Sequence, residues 1–391
     1  MELKLEIARH LSDTIIPFWS ALRDFDHGGY IGYVGYDLKP DSAAPKGCIQ
    51  NSRILWFFSA AYMLLKQPVL LECANQACQF MTYFSDRRDG GLYWMCTADG
   101  VPMDETKHTY NHAFAIYALA AYARASGREK ALRHALSLFE LIETRMVKNG
   151  LYEDAFTRSF RPLQNLKLSD NPKLLAKGVV AEKTMNTLLH VLEAYTLLYE
   201  VSGDLRVQAR LRWLLDLFCK KVYNPEKNRL EVFFDSALRP LIDMQSYGHD
   251  IEASWLIDRA AEAVLAGEDL AQTEQMTARL CWGVLERAFQ NDSLLNERVE
   301  GEDDPRRIWW AQCETMIGLA NLWQKTGNPA LMEKMQVLWQ YIQTAFLDKR
   351  QGGERYAAVD SQGKPLKLPV AEPWKAPYHN GRMCMELMRR L

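Results

Sequence analysis

His249, Glu252 and Trp255 follow one another at intervals of three in the stretch Ser246-Tyr-Gly-His-Asp-Ile-Glu-Ala-Ser-Trp-Leu-Ile-Asp-Arg259. A turn residue, Gly248, precedes a strongly helical run, so on a helix the three side chains share one face near its N-terminus. Solvated helix faces rarely carry an imidazole, a carboxylate and an indole together. A pocket that binds a ring and moves a proton uses all three. Five other stretches resemble this one: Asn51-Ser-Arg53, His108-Thr-Tyr110-Asn111, Asn186 with His190, Trp309-Trp310 with Glu314, and Trp374 followed by Tyr378-His379-Asn380 and Arg382.

Two histidines facing one site, with an arginine and carboxylates, suit proton abstraction next to a carbonyl. Imidazole titrates near neutral pH, so one ring can take a proton while the other gives one. The resulting enediolate needs a cation or hydrogen-bond donors at its oxygens, which Arg53 and the Asn and Tyr groups can supply. A glycosidase instead wants two carboxylates flanking the scissile bond, and Glu252 with Glu314 can be cast in that part. Plainer readings stand beside these: a core histidine at His190, a cap or ion pair at Arg53, core filling by Trp309-Trp310, and an ion-pair partner in Glu314. His249 and His379 resist such readings better, because both lie at helix starts beside Gly or Pro turns. Metal is not expected. His108 and His112 have i, i+4 spacing, but there is no H-E-x-x-H and no cysteine set with ligand spacing. Phosphate-binding glycine loops and a G-x-S-x-G elbow are absent, so no cofactor is expected either.

The elements that must carry these residues recur along the chain. A turn followed by a few extended residues appears at His27–Tyr33, Asp89–Met95, Asn149–Ala155, Asn228–Phe234, Asp292–Arg298 and Gln351–Ala357. Successive copies lie about 60 to 80 residues apart, which marks a repeat architecture. Between copies the chain is helical, two segments at a time: Ser52–Leu65 with Leu70–Tyr83, Tyr110–Ala125 with Lys130–Val147, Lys183–Val201 with Leu205–Val222, His249–Ala266 with Leu270–Ala288, and Trp309–Lys325 with Pro329–Phe346. The last segment, Tyr378–Leu391, pairs with the first, Leu3–Leu22. Gly127, Gly203, Gly267 and Gly327 each separate the two helices of a pair. Twelve helices in six hairpins predict an all-α, closed (α/α)6 barrel with short extended segments at one mouth. The inner helices are rich in Ala and apolar residues all round. All six inner N-termini then point to one mouth, and their positive ends favour an anionic intermediate there. Pro162 to Gly178 is the longest irregular stretch and reads as a loop over a mouth. No internal linker divides the chain, so residues 1–391 are expected to form one catalytic domain.

Composition excludes several classes. A net charge of −2 (47 basic against 49 acidic residues) makes no case for nucleic acid or a membrane surface. No apolar run approaches the roughly 20 residues needed to span a bilayer. The N-terminus reads as an amphipathic helix, not a signal peptide. The eight cysteines include no C-x-x-C pair and mostly sit in apolar helical context, as in a reduced cytoplasmic protein. Eleven Trp and 17 Tyr, several next to turns, fit either ring-stacking carbohydrate pockets or a large aromatic core.

The chain resembles the cellobiose 2-epimerases of the N-acylglucosamine 2-epimerase family over essentially its full length. The matching stretches are Thr14-Ile-Ile-Pro-Phe-Trp19, Ser52-Arg-Ile-Leu-Trp-Phe-Phe58, Lys107-His-Thr-Tyr-Asn111, Lys183-Thr-Met-Asn186, Ser246 to Trp255, Trp309-Trp310 with Glu314, and Pro373-Trp-Lys-Ala-Pro-Tyr-His-Asn-Gly-Arg-Met-Cys-Met385. The match is looser at Cys48-Ile-Gln-Asn51, where the role of Asn51 is open. The resemblance implies reversible epimerisation at C2 of the reducing-end sugar of a β-1,4-linked disaccharide (cellobiose to glucosyl-mannose, lactose to epilactose), through ring opening and a cis-enediolate, with no metal or redox cofactor. It implies that His249 and His379 are the acid/base pair and that Arg53 and His190 serve O1 and O2. Glu252 and Glu314 would orient the histidines and sugar hydroxyls. Tyr110, Asn111, Asn186, Trp309, Trp310 and Trp374 would shape the sugar sites, and Trp255 would pack beside His249. A cytoplasmic monomer acting on a small disaccharide is expected. The alternatives are a mannose 2-epimerase or aldose–ketose isomerase on the same scaffold, a glycoside hydrolase, and a non-catalytic sugar-binding protein.

Overall fold

The structure, a computed structural model, describes residues 2–169 and 171–391. Among these residues six helices form an inner ring: Cys48–Leu65, Thr109–Ser126, Met185–Ser202, Tyr247–Val264, Trp309–Thr326 and Tyr378–Arg390. Each packs on the next, and the sixth packs back on the first, which closes the ring. Gly381 makes that closure possible, because a Cβ there would sit 2.4 Å from the Phe57 ring. The outer helices are Pro68–Phe80, Glu129–Leu141, Leu205–Leu217, Gly267–Ala288 and Pro329–Tyr341, with the run 2–21 as the sixth. The inner helices are buried along most of their length, as expected for a layer covered on both sides, whereas each outer helix buries a stripe. This is the (α/α)6 barrel.

The expected helix pairs are present, with their limits shifted by a few residues. One start needs correction: Lys183-Thr184 is extended and pairs with Phe233–Phe234, so the third inner helix begins at Met185. Gly127, Gly203 and Gly327 cap inner helices in the left-handed conformation, with φ of 69°, 65° and 65°. Gly267 differs, since it is the first residue of its outer helix, and the inner helix before it ends at Val264 with Leu265 as its cap.

The extended motifs link the hairpins into a belt around the mouth. The residues leading into each of the first five inner helices pair antiparallel with the turn motif of the next hairpin: 46–47 with 95–96, 107–108 with 155–156, 183–184 with 233–234, 244–246 with 297–299, and 307–308 with 358–359. A bridge between Val34 and Ala371 joins the last hairpin to the first. The belt fixes where each inner helix starts, and those starts carry the candidate residues.

Candidate active site

The inner N-termini open into a cavity of about 270 Å³ on the barrel axis, lined by Arg53, Tyr110, Lys167, Leu168, Asn186, His190, His249, Glu252, Trp309, Trp310, Trp374 and His379. Ten of the thirteen residues expected from sequence are in this wall. Glu314 lies one layer behind it, with its Oε1 2.8 Å from His379 Nδ1. Trp255 is fully buried and donates through Nε1 to Glu314 Oε2 at 3.1 Å, so it supports Glu314 and does not border the cavity. Asn111 is also buried. Its Nδ2 donates to the Tyr93 carbonyl at 3.0 Å, which fastens the neighbouring turn and keeps the amide away from the cavity. Asn51 is comparable, donating to the Gly47 carbonyl at the start of its own helix.

The two histidines pack against one indole. Trp310 has its ring centroid 4.7 Å from that of His249 and 5.5 Å from that of His379. Gly248 makes room for it, because a Cβ at that position would lie 2.5 Å from Trp310. The histidines differ in what holds Nδ1. Ser246 Oγ is 2.7 Å from His249 Nδ1, a neutral partner, whereas His379 Nδ1 meets the Glu314 carboxylate. Such partners set the tautomer and leave Nε2 for the substrate.

Below the histidines lies a dense charge cluster that sequence reading had not assembled. The buried Arg382 guanidinium reaches Glu193 Oε1 through Nη1 at 2.5 Å, and through Nη2 reaches Glu314 Oε1 at 2.8 Å and Glu252 Oε1. Glu193 also accepts from the Tyr378 hydroxyl and holds His190 Nδ1 at 2.9 Å. Glu252, Glu314 and His379 lie close enough to suggest a metal triad, but the shared Nη2 of Arg382 already supplies their positive charge. The sequence signal for this cluster was thin. In the sequence Arg382 stands out only as part of the last helix start, and Glu193 lies three residues after His190 on a helix that otherwise looks apolar.

Burial sets the electrostatics here. It pushes the Glu252 carboxyl up to about 7, reinforced by the neighbouring Glu314 and opposed by Arg382. It raises Glu314 to about 7 as well, although Arg382 and Trp255 donate to that carboxylate. Glu193 pays the same burial penalty, but Arg382, His190 and Tyr378 outweigh it and hold the group at about 2. Burial, with His190 nearby, drops His249 to about 3. Burial followed by the cations Arg382 and Arg53 keeps His379 well below the ordinary imidazole range. Arg53 completes the wall, donating to the Trp374 carbonyl at 2.7 Å and to the Tyr110 hydroxyl at 3.0 Å. Among the described residues, Glu252 Oε2 and Asn186 Oδ1 find no partner and are buried.

Two carboxylates facing each other across the cavity, as a hydrolase requires, are not formed here. Glu314 is behind His379, and Glu252 and Glu314 share one guanidinium. The arrangement is three imidazoles (His190, His249 and His379), one carboxylate oxygen without a partner among the described residues, and the Arg53 guanidinium around a space for one sugar ring.

Both the sequence and the fold have known relatives. The family profile for N-acylglucosamine 2-epimerase matches residues 29–382. The chain is 45% identical to a cellobiose 2-epimerase of Ruminococcus albus over 98% of each chain. It is 41% identical to a cellobiose 2-epimerase of Dictyoglomus turgidum, covering 100% of this chain and 99% of that one. The solved cellobiose 2-epimerase of Bacillus thermoamylovorans superposes with a TM-score of 0.95 at 40% identity, over 99% of both chains. No helix among the described residues is long and apolar enough to cross a membrane.

Proposed function

The chain belongs to the N-acylglucosamine 2-epimerase family and is an epimerase, and from that premise we propose that it reversibly inverts C2 of the reducing-end sugar of β-1,4-linked disaccharides such as cellobiose and lactose. The observation that carries this reading is the placement of His249 and His379 against the same Trp310, in a cavity sized for one sugar ring. Proton transfer at C2 with inversion needs a base on one face and an acid on the other.

The unequal partners of the two rings suggest the division of labour. His249 is held neutral and has only a hydroxyl on Nδ1, so it is free to accept the C2 proton. His379 and Glu314 titrate as a pair, and with Glu314 lifted to about 7 the pair still holds a proton near neutral pH. That proton is available for return to the opposite face of C2. The enediolate between the two steps is stabilised by the Arg53 guanidinium and by His190, which Glu193 orients through Nδ1. Glu252 Oε2, unpaired and with a raised carboxyl pKa, is available for a hydroxyl of the opened sugar. In the reverse direction the two rings exchange roles. One chain completes the cavity, which supports action as a monomer. All eight cysteines are free, in keeping with a reducing cytoplasmic setting.

Incubation with cellobiose or lactose in heavy water tests the reading. The expected result is an epimeric disaccharide carrying deuterium at C2. Released monosaccharide, or conversion of mannose with no change in either disaccharide, overturns it.

A further inference from the structure

At the opposite end of the barrel, the C-terminal halves of the inner helices enclose a second cavity of about 210 Å³. Its wall carries the guanidinium groups of Arg124, Arg259 and Arg389 and the carboxylate of Glu386. The cations outnumber the anions that hold them. Arg124 Nη2 and Arg259 Nη2 converge on one oxygen, Glu200 Oε2, each at 3.0 Å, and Arg259 Nε takes the other oxygen at 3.0 Å. Glu386 is shared in the same way, by Arg389 at 2.8 Å and Arg390 at 3.3 Å. Four guanidiniums thus share two carboxylates, in a chain whose net charge is −2.

The negative ends of the inner helices favour cations at this mouth, which accounts for Arg124 and Arg389, each in a last turn. It does not account for Arg259, which stands more than a turn before its helix ends at Val264. Nor does it account for Tyr117. That side chain is 2% exposed and lines the cavity, yet its hydroxyl has no hydrogen-bond partner among the described residues. Burial raises its pKa well above the ordinary value, so it stays a neutral donor, and Glu193, Arg259, Arg382 and Glu386 all act on the hydroxyl. Arg259 and Glu386 belong to this cavity. Trp56, stacked on Tyr117 with centroids 5.4 Å apart, and Leu197 supply an apolar side. A buried donor without an acceptor is costly, and the guanidiniums beside it lack anions. One tetrahedral oxyanion answers both, because its oxygens match the guanidinium fork and accept from a hydroxyl as well.

We infer that this far-mouth cavity is a binding site for a phosphate group, free or carried by a small molecule, held by Arg124, Arg259 and Arg389 with Tyr117 as a further donor. The site is separate from the proposed catalytic cavity but shares its helices. Arg259 follows His249 and Glu252 on one of them, and Arg389 follows His379 and Arg382 on another. An occupant therefore ties together the far ends of the helices that carry the acid/base pair.

Calorimetric titration with inorganic phosphate and with phenyl phosphate, at constant ionic strength, tests it. Saturable binding is expected, and Arg124→Gln and Arg389→Gln should each weaken it about tenfold, the size of one lost charge-assisted bond. Glu386→Gln removes the competing acceptor and should tighten binding several-fold, a gain that a misfolded variant cannot produce. Stronger binding of phenyl phosphate identifies a monoester seated against Trp56, and stronger binding of inorganic phosphate identifies the free ion. Absence of saturable binding, an affinity unchanged in either arginine variant, or no gain in Glu386→Gln overturns the site. Unchanged affinity in all three variants, with cellobiose displacing the anion, assigns it to Arg53 in the catalytic cavity instead. The titrations need no turnover, so their failure leaves the epimerase reading standing, and inactivity on disaccharides leaves this site standing.

Discussion

Two sets of buried charges hold this ring together, and only one of them repeats. Around the belt, a polar residue just before an inner helix reaches back into the preceding turn: Lys46 to Asp24 at 2.7 Å, Lys107 to Asp86 at 2.9 Å, and Lys183 to Glu153 at 2.7 Å. Arg307 does the same with Ser293, and Lys375 with Glu354. Several add a bond to a turn carbonyl, as Lys46 does to Gly28. Each of these lysines meets a single carboxylate, and one of those carboxylates, Asp86, is shared with Arg158. At the axis, by contrast, Arg382 faces three carboxylates, and among the described residues no equivalent position in another inner helix repeats the arrangement. In a symmetric scaffold, repeated buried ion pairs serve assembly. The unrepeated, charge-imbalanced cluster is where perturbed pKa values collect, and such clusters mark function.

The sharpest way to break this comparison is to remove one histidine at the axis. His379→Ala and His249→Ala are each expected to lower kcat by about 10²–10⁴, the range of a lost general acid or base, with melting temperature nearly unchanged. Full activity in both variants excludes proton transfer by this pair and reduces the axial cluster to another structural device.

Next comes a paired experiment on the two kinds of cation. Lys107→Met leaves Asp86 buried with one partner fewer, and Arg382→Met leaves three carboxylates around an empty centre. Truncating one partner of a buried pair typically costs about 3–5 kcal/mol, so both variants are expected to unfold at distinctly lower denaturant concentration. They part company in activity per folded molecule. Lys107→Met retains it, while Arg382→Met loses it, because Glu314 can no longer hold His379 in place. Equal activity loss in the two erases the distinction between belt and axis.

Much of this was legible in the residues themselves. Helix pairs follow from the 3.6-residue apolar pattern and the turn motifs, and the shared mouth follows from counting six hairpins. What escaped is informative. Asn111 was grouped with Tyr110 because both stand at one helix start, but adjacent residues are turned about 100° apart, and only Tyr110 faces the cavity. Trp255 shares a face with Glu252, yet it lies one turn deeper, where that face meets Glu314 instead of substrate. Arg382 and Glu193 come together across helices distant in sequence, and no spacing rule brings such a pair into view. Lys167 belongs to a segment without periodicity, so nothing in its spacing places it in the cavity wall, where it pairs with Asp104.

The axis should also respond to pH. Folding lifts Glu314 from an ordinary value of 4.5 to about 7. A carboxyl raised on folding favours the folded state while protonated. Its contribution is full below about pH 4.5 and is lost as pH climbs to about 7, roughly 3 kcal/mol for a shift of this size. Glu314→Gln, neutral at every pH, is expected to flatten that part of the stability curve, measured by denaturant titration between pH 4.5 and 8. An unchanged slope means that Glu314 is charged in the folded protein across the range, and the proton store assigned to the His379 pair is then absent.

The smallest effect separates the two histidines from each other. Ser246 Oγ is a single neutral hydrogen-bond partner of His249 Nδ1, and such a bond contributes about 1 kcal/mol. Ser246→Ala is therefore expected to slow turnover only several-fold, through a less well oriented ring. The hydroxyl does not titrate, so the pH–rate profile should keep its shape and position. The Glu314→Gln profile, in contrast, should shift, because there the partner's own proton takes part. If Ser246→Ala displaces the profile as much as Glu314→Gln does, the two imidazoles are equivalent, and neither neutral nor charged support decides which one begins with the proton.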